Sequence, residues 1–133
     1  LFIRKFNDVT LNSVQVVKDA NGVPKGYYVV GNNNPNLIPS SNADKDEVVI
    51  KTDAQGNTCS YSMPFFGCQN TLSGENVFVK RYDFPDGSFG NEFVKGSSTA
   101  DGGYIGLAAQ YTSSSPTSSQ DVYLIKTDLF GNR

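Results

Sequence analysis

Twelve residues near the end of the chain, Asp121 to Asn132 (DVYLIKTDLFGN), occur in a second version at Asp46 to Asn57 (DEVVIKTDAQGN), with seven of the twelve identical and seventy-five positions between the two. Repetition at a fixed spacing constrains a fold more than a single motif does, because it announces an array of like units. Each copy is an apolar run, then Lys-Thr-Asp, then a Gly-Asn ending. Asp53 followed three residues later by Gly56 suits a type I turn closed by a left-handed residue.

The flanks repeat as well. VFVKRY (Val77 to Tyr82) resembles LFIRKF at residues 1–6, and GYIGLAAQ (Gly103 to Gln110) answers GYYVVGNN from Gly26. SVQVVKD (Ser13 to Asp19) and NEFVKGS (from Asn91) take corresponding places, as do an Asn-rich loop and the Ser/Thr-rich loop YTSSSPTSSQ. Period-2 alternation, β-branched and aromatic residues, and Asn-Gly, Asp-Gly and Pro punctuation mark these segments as strands joined by turns. The chain lacks a sustained 3.6-residue apolar period, so it reads as two passes of strand, strand, strand, strand. The units expected are residues 1–57 and 77–133, with 58–76 as an insertion between them.

The apolar runs VVI and VYLI are continuous rather than alternating, so these strands need cover on both faces. A recurring four-stranded sheet obtains that cover by stacking as the blades of a β-propeller. The expected fold is therefore all-β: two four-stranded antiparallel blades of a β-propeller, incomplete as a single chain and completed by further blades or by copies of itself. The opening LFIRKF, without Met or a signal peptide, reads as a mature or excised piece.

In the second copy, Asp101-Gly102-Gly103-Tyr104-Ile105 followed by Asp121 to Asn132 resembles the repeat of secreted bacterial β-propeller proteins. The double Gly before a strand is also similar to Kelch blades. The first copy keeps Gly26-Tyr27-Tyr28 and Asp46 to Asn57 but has Pro-Lys where the second has Asp-Gly. The resemblance spans nearly the whole chain and implies a multi-blade, extracellular or cell-surface protein. It implies nothing about an activity.

Composition excludes several functions. The net charge of −2 and scattered Lys and Arg give no footprint for nucleic acid. No apolar run reaches the roughly 18 to 20 residues of a spanning helix, so membrane insertion is not expected. The chain contains no His, which removes Ser-His-Asp and Cys-His catalysis. Cys59 and Cys68 lie nine positions apart in a loop rich in Ser, Gly and Pro, where a disulfide is expected, pointing to an oxidising compartment.

Paired carboxylates are the remaining catalytic route, with Asp83, Asp86 and Glu92 as candidates. A polar turn with Asp in its preferred positions explains them without chemistry. No cofactor is expected; Ca²⁺ is the alternative, through Asp44 and Asp46 or through Asp53 with Asn57, although Ca²⁺ asks for about 6–8 converging oxygens. Lys51 and Lys126, at the ends of the repeated strands, read as edge protection. Within the insertion, Tyr61, Met63, Phe65 and Phe66 would sit on the loop closed by Cys59–Cys68, either as a binding loop for sugar or protein or folded onto the blade. The function expected is a non-catalytic extracellular or cell-surface scaffold or interaction module. The alternatives are a lectin-like, carbohydrate-binding propeller assembled from two-blade protomers, and part of a propeller-type hydrolase whose active site lies elsewhere.

Overall fold

The computed structural model describes residues 2–7, 9–33, 47–61, 67–82, 91–111 and 120–133. These residues hold eight strands and, among them, no helix: β1 (Val9–Lys18), β2 (Pro24–Asn33), β3 (Glu47–Lys51), β4 (Gly67–Leu72), β5 (Glu75–Tyr82), β6 (Asn91–Ser98), β7 (Tyr104–Tyr111) and β8 (Gln120–Lys126). They form two antiparallel sheets, one of five strands in the order β1-β2-β3-β5-β4 and one of three in the order β6-β7-β8.

The continuous apolar runs dictate how the sheets sit. In β3, Val49 points between the sheets and joins a core with Tyr28, Val30, Phe78 and Tyr82 from the first sheet and Tyr104, Ala108 and Ile125 from the second. Its neighbours Val48 and Ile50 point the other way, into a second cluster with Val29 and Val79. That outer cluster is covered by Phe6, Tyr61 and the Cys59–Cys68 pair. Period-2 geometry thus splits one apolar run between two cores. Each buried Val or Ile is worth about 1.5–3 kcal/mol relative to exposure.

Polar bonds fix the sheets against each other. The Tyr28 hydroxyl donates to the Gly102 carbonyl at 2.7 Å, and the Tyr82 hydroxyl donates to the Gly131 carbonyl at 2.8 Å. Both accepting groups lie in turns of the second sheet. The Tyr28 ring stands 5.3 Å from Tyr104 and 6.2 Å from Phe78, within the range of favourable aromatic pairs.

The structure departs from the sequence expectation in three places. Residues 2–6 are not a strand, although VFVKRY, which they resemble, is part of β5. The reason is pairing: β5 has the flank of β3 to bond to, and residues 2–6 have no such flank within the described chain. Second, β5 was expected to open the second unit. It instead pairs with β3 in the register Val48↔Arg81, Val49↔Lys80, Ile50↔Val79 and so belongs to the first sheet. Third, the insertion contributes β4, which pairs with β5 from Gly67↔Lys80 to Leu72↔Glu75. The described sheets are open rather than closed, with five and three strands where four and four were expected.

Candidate interaction surface

The repeated Lys-Thr-Asp-x-x-Gly-Asn is a self-satisfied turn. Asp53 Oδ1 accepts from the N–H of Gln55 at 2.9 Å and of Asn57 at 2.8 Å, and Oδ2 accepts from the Asn57 amide at 2.9 Å. Gly56 N–H donates to the Asp53 carbonyl at 3.0 Å. Asp128 repeats each bond, with Phe130 and Asn132 as donors at 2.8 Å, the Asn132 amide at 3.0 Å and Gly131 closing the turn at 3.0 Å. The Asn132 N–H, foremost among these donors, holds the Asp128 carboxyl below its ordinary value. Asp53 thus has both oxygens engaged by its own turn. Among the described residues, no group of three or more His, Cys, Asp or Glu could hold a metal. Asp44 and Asp46 lie outside the described residues.

Each turn is also a platform, and a left-handed glycine makes it flat. Gly131, at φ +76°, lies beneath the Phe78 ring, and a Cβ there would come 2.7 Å from that ring. Lys80, two residues on, donates to Asn132 Oδ1 at 2.6 Å with its ammonium 5.8 Å from the Phe78 ring centre. The first turn carries the same arrangement. Phe2 covers Gly56 (φ +77°), Arg4 donates to Asn57 Oδ1 at 2.5 Å, and its guanidinium lies 5.8 Å from the Phe2 ring centre. Residues 2–4 therefore sit on the first sheet as residues 78–80 sit on the second.

Among the described residues, two apolar surfaces lie on the outer sides. On the first sheet, a groove of about 830 Å³ runs between Phe2, Arg4 and Phe6 and the sheet residues Val14, Tyr27 and Val29. On the second sheet, a shallower depression of about 320 Å³ is lined by Lys95, Ser97, Ile105, Leu107 and Leu124. Leu124 is 67% exposed, while its counterpart one repeat earlier, Val49, is fully buried.

The expected site residues separate as follows. Cys59 and Cys68 form a disulfide. Tyr61 is half-buried against the outer cluster, and its hydroxyl donates to the Asn7 carbonyl at 3.1 Å. Met63, Phe65 and Phe66 lie outside the described residues, as do Asp83 and Asp86. Glu92 falls in β6. Lys51 is not at an edge: it lies in β3 between β2 and β5, buried, its ammonium 5.6 Å from the Tyr28 ring centre and 3.4 Å from the accepting Leu129 carbonyl. Burial pushes its pKa down. Lys126 is exposed on the outermost strand β8 and pairs with Asp101 at 2.7 Å. With the Thr99 hydroxyl and the Gly103 N–H, that ammonium draws the Asp101 carboxyl far below its ordinary value.

Residues that sequence reasoning did not single out are Phe2, Arg4, Leu107 and Ile3. The likeness of LFIRKF to VFVKRY holds the signal for Phe2 and Arg4, because both hexamers keep an aromatic and a cation two residues apart. No protein-family model, curated protein or solved structure matches this chain.

Proposed function

We propose that the chain is a non-catalytic scaffold or interaction module built from blade-like sheets of a propeller-type array, working outside the cell or at its surface. The observation that carries the reading is the duplicated packing unit: an aromatic–cation pair on a Gly-Asn turn, formed once within the first sheet and once between the two sheets. A packing unit that recurs with the sequence repeat is what an array of stacked sheets requires. The Cys59–Cys68 disulfide supports an oxidising compartment. The turn carboxylates serve structure, since Asp53, Asp101 and Asp128 are all engaged by neighbouring N–H or ammonium groups.

The test is an activity screen joined to localisation. Purified protein offered chromogenic glycosides and esters should release no product, and the protein recovered from its own cells should be extracytoplasmic with Cys59 and Cys68 oxidised. Turnover that disappears in Asp83→Asn or Asp86→Asn would overturn the non-catalytic reading. A reduced, cytosolic protein would overturn the compartment.

A further inference from the structure

We infer that the outer flank of β8 accepts residues 2–6 of a second copy of this chain as a strand, in the register that β5 adopts on β3. The inference rests on the array reading above but not on the absence of catalysis.

The first observation is the equivalence of the two acceptors. β3 and β8 are the repeated strands, seventy-five positions apart, and both lead into the same turn. Among the described residues β3 is bonded on both sides, by β2 and β5, whereas β8 is bonded only by β7. The second is the equivalence of the two donors. Residues 2–6 carry the pattern of residues 78–82 and already rest on a Gly-Asn turn as those do, yet they form no ladder. Among the described residues, then, one flank lacks a strand and one strand-like segment lacks a flank.

Exposure agrees at both ends. Ile3 is 91% exposed, whereas Val79, its counterpart in β5, is fully buried. Val122 and Leu124 on β8 are exposed, and Val49, the counterpart of Leu124, is buried because the second sheet covers it. Phe2, Arg4 and Phe6 line the groove on the first sheet and Leu124 the depression on the second, so the two sets belong to different surfaces. A head-to-tail contact between copies buries both.

The register follows from the internal pairing. Val49↔Lys80 and Ile50↔Val79 in the first sheet become Leu124 opposite Arg4 and Ile125 opposite Ile3 across the copies. Tyr123 then faces Lys5, as Val48 faces Arg81. No like charges meet. Phe2 and Arg4 keep their places on their own Gly56–Asn57 turn, just as Phe78 and Lys80 sit on Gly131–Asn132 while β5 bonds to β3. The second copy's outer groove would then lie over Ile105, Leu107 and Leu124, in the position that the second sheet takes over Tyr28, Val30 and Val49. Two ties are missing from this junction: Phe6 replaces the Tyr82 hydroxyl and Ile105 replaces that of Tyr28. The contact between copies is therefore weaker than the one inside the chain. It joins two different patches, so it propagates until a ring closes or a filament grows.

The experiment uses the full 133-residue chain. Sedimentation velocity over roughly 1 to 500 µM should show the mass rising from 14.4 kDa to a dimer and beyond. Ile3→Asp and Leu124→Lys, both at exposed positions, should each hold the chain at the monomer mass with unchanged circular dichroism. Register is read by mixing Arg4→Cys protein with Leu124→Cys protein under mild oxidation. Directly paired strand positions lie within disulfide reach, so a mixed dimer should form. Ile3→Cys with Leu124→Cys, on opposite faces, should give at least tenfold less. A monomer across the whole range, or association that persists in Ile3→Asp and in Leu124→Lys, overturns the inference and leaves the non-catalytic reading standing. Mixed dimers formed equally well by both cysteine pairs overturn the register.

Discussion

The hydroxyl of Tyr82 donates to the carbonyl of Gly131 at 2.8 Å, tying the last residue of β5 to the turn after β8. Tyr82→Phe removes that donor and leaves the ring. The expected loss of stability is about 1–2 kcal/mol, the usual worth of a buried hydrogen bond whose acceptor stays behind. Urea unfolding should show a lower midpoint with an unchanged slope. An unchanged midpoint would mean that the bond contributes nothing to holding the sheets together.

Alkaline pH should unfold the protein through its inter-sheet tyrosines. Burial is the leading cause that raises the phenols of Tyr28, Tyr82 and Tyr104, the last to about 12. The folded state therefore favours the neutral phenol, while the unfolded chain ionises near pH 10. Their contribution is fully present below about pH 10 and is lost progressively as pH rises above it, through about 12 for Tyr104 and higher still for Tyr28 and Tyr82. Phenolate absorbance should lag for these residues and then rise together with the loss of circular dichroism. Smooth titration of all seven tyrosines near pH 10 with the fold intact would contradict this.

The twin glycines should respond unequally. Gly56→Ala and Gly131→Ala both place a Cβ at positive φ, costing about 1 kcal/mol or more. At Gly131 the new methyl also meets Phe78, which is fully buried and cannot yield. At Gly56 it meets Phe2, which is 40% exposed and free to swing aside. Thermal melts should place the Gly131 variant below the Gly56 variant. The reverse order would show that Phe2 is held more firmly than its exposure implies.

Opening the disulfide should act locally. Cys68→Ser, made together with Cys59→Ser, removes a cross-link spanning nine positions, worth about 2–3 kcal/mol by loop-closure entropy. Hydrogen exchange should accelerate in β4, while the amides of β2 and β3 stay protected. Uniform acceleration across both sheets would mean that the staple supports the whole fold rather than its fringe.

Much of this was legible in the sequence, and the gaps have physical causes. The strands around Val29, Ile50, Val79 and Ile125 announce themselves, because β-branched and aromatic residues between turn signals have few other solutions. The Asp-x-x-Gly-Asn turns were legible for the same reason. β4 was not: GCQNTL has no apolar alternation, and it holds its place through the β5 ladder and Cys68 rather than by burial. The attachment of β5 was misread because similarity between LFIRKF and VFVKRY establishes that they are equivalent, not which flank either one joins. Lys51 looked like an edge residue for that reason. Once β5 lies beside β3, the same lysine is interior and its mate Lys126 alone remains at a margin.

β4 has one more effect. It is a six-residue, mostly exposed and polar strand lying along the far side of β5 and fastened by a covalent bond. A foreign backbone arriving at that margin finds its lane taken and no greasy patch to grip, which is how sheets avoid fusing into fibres. The molecule accordingly has a polarity. The flank beside β5 is occupied by β4, whereas the flank of β8, bonded only by β7 among the described residues, is the one at which we propose a second copy joins.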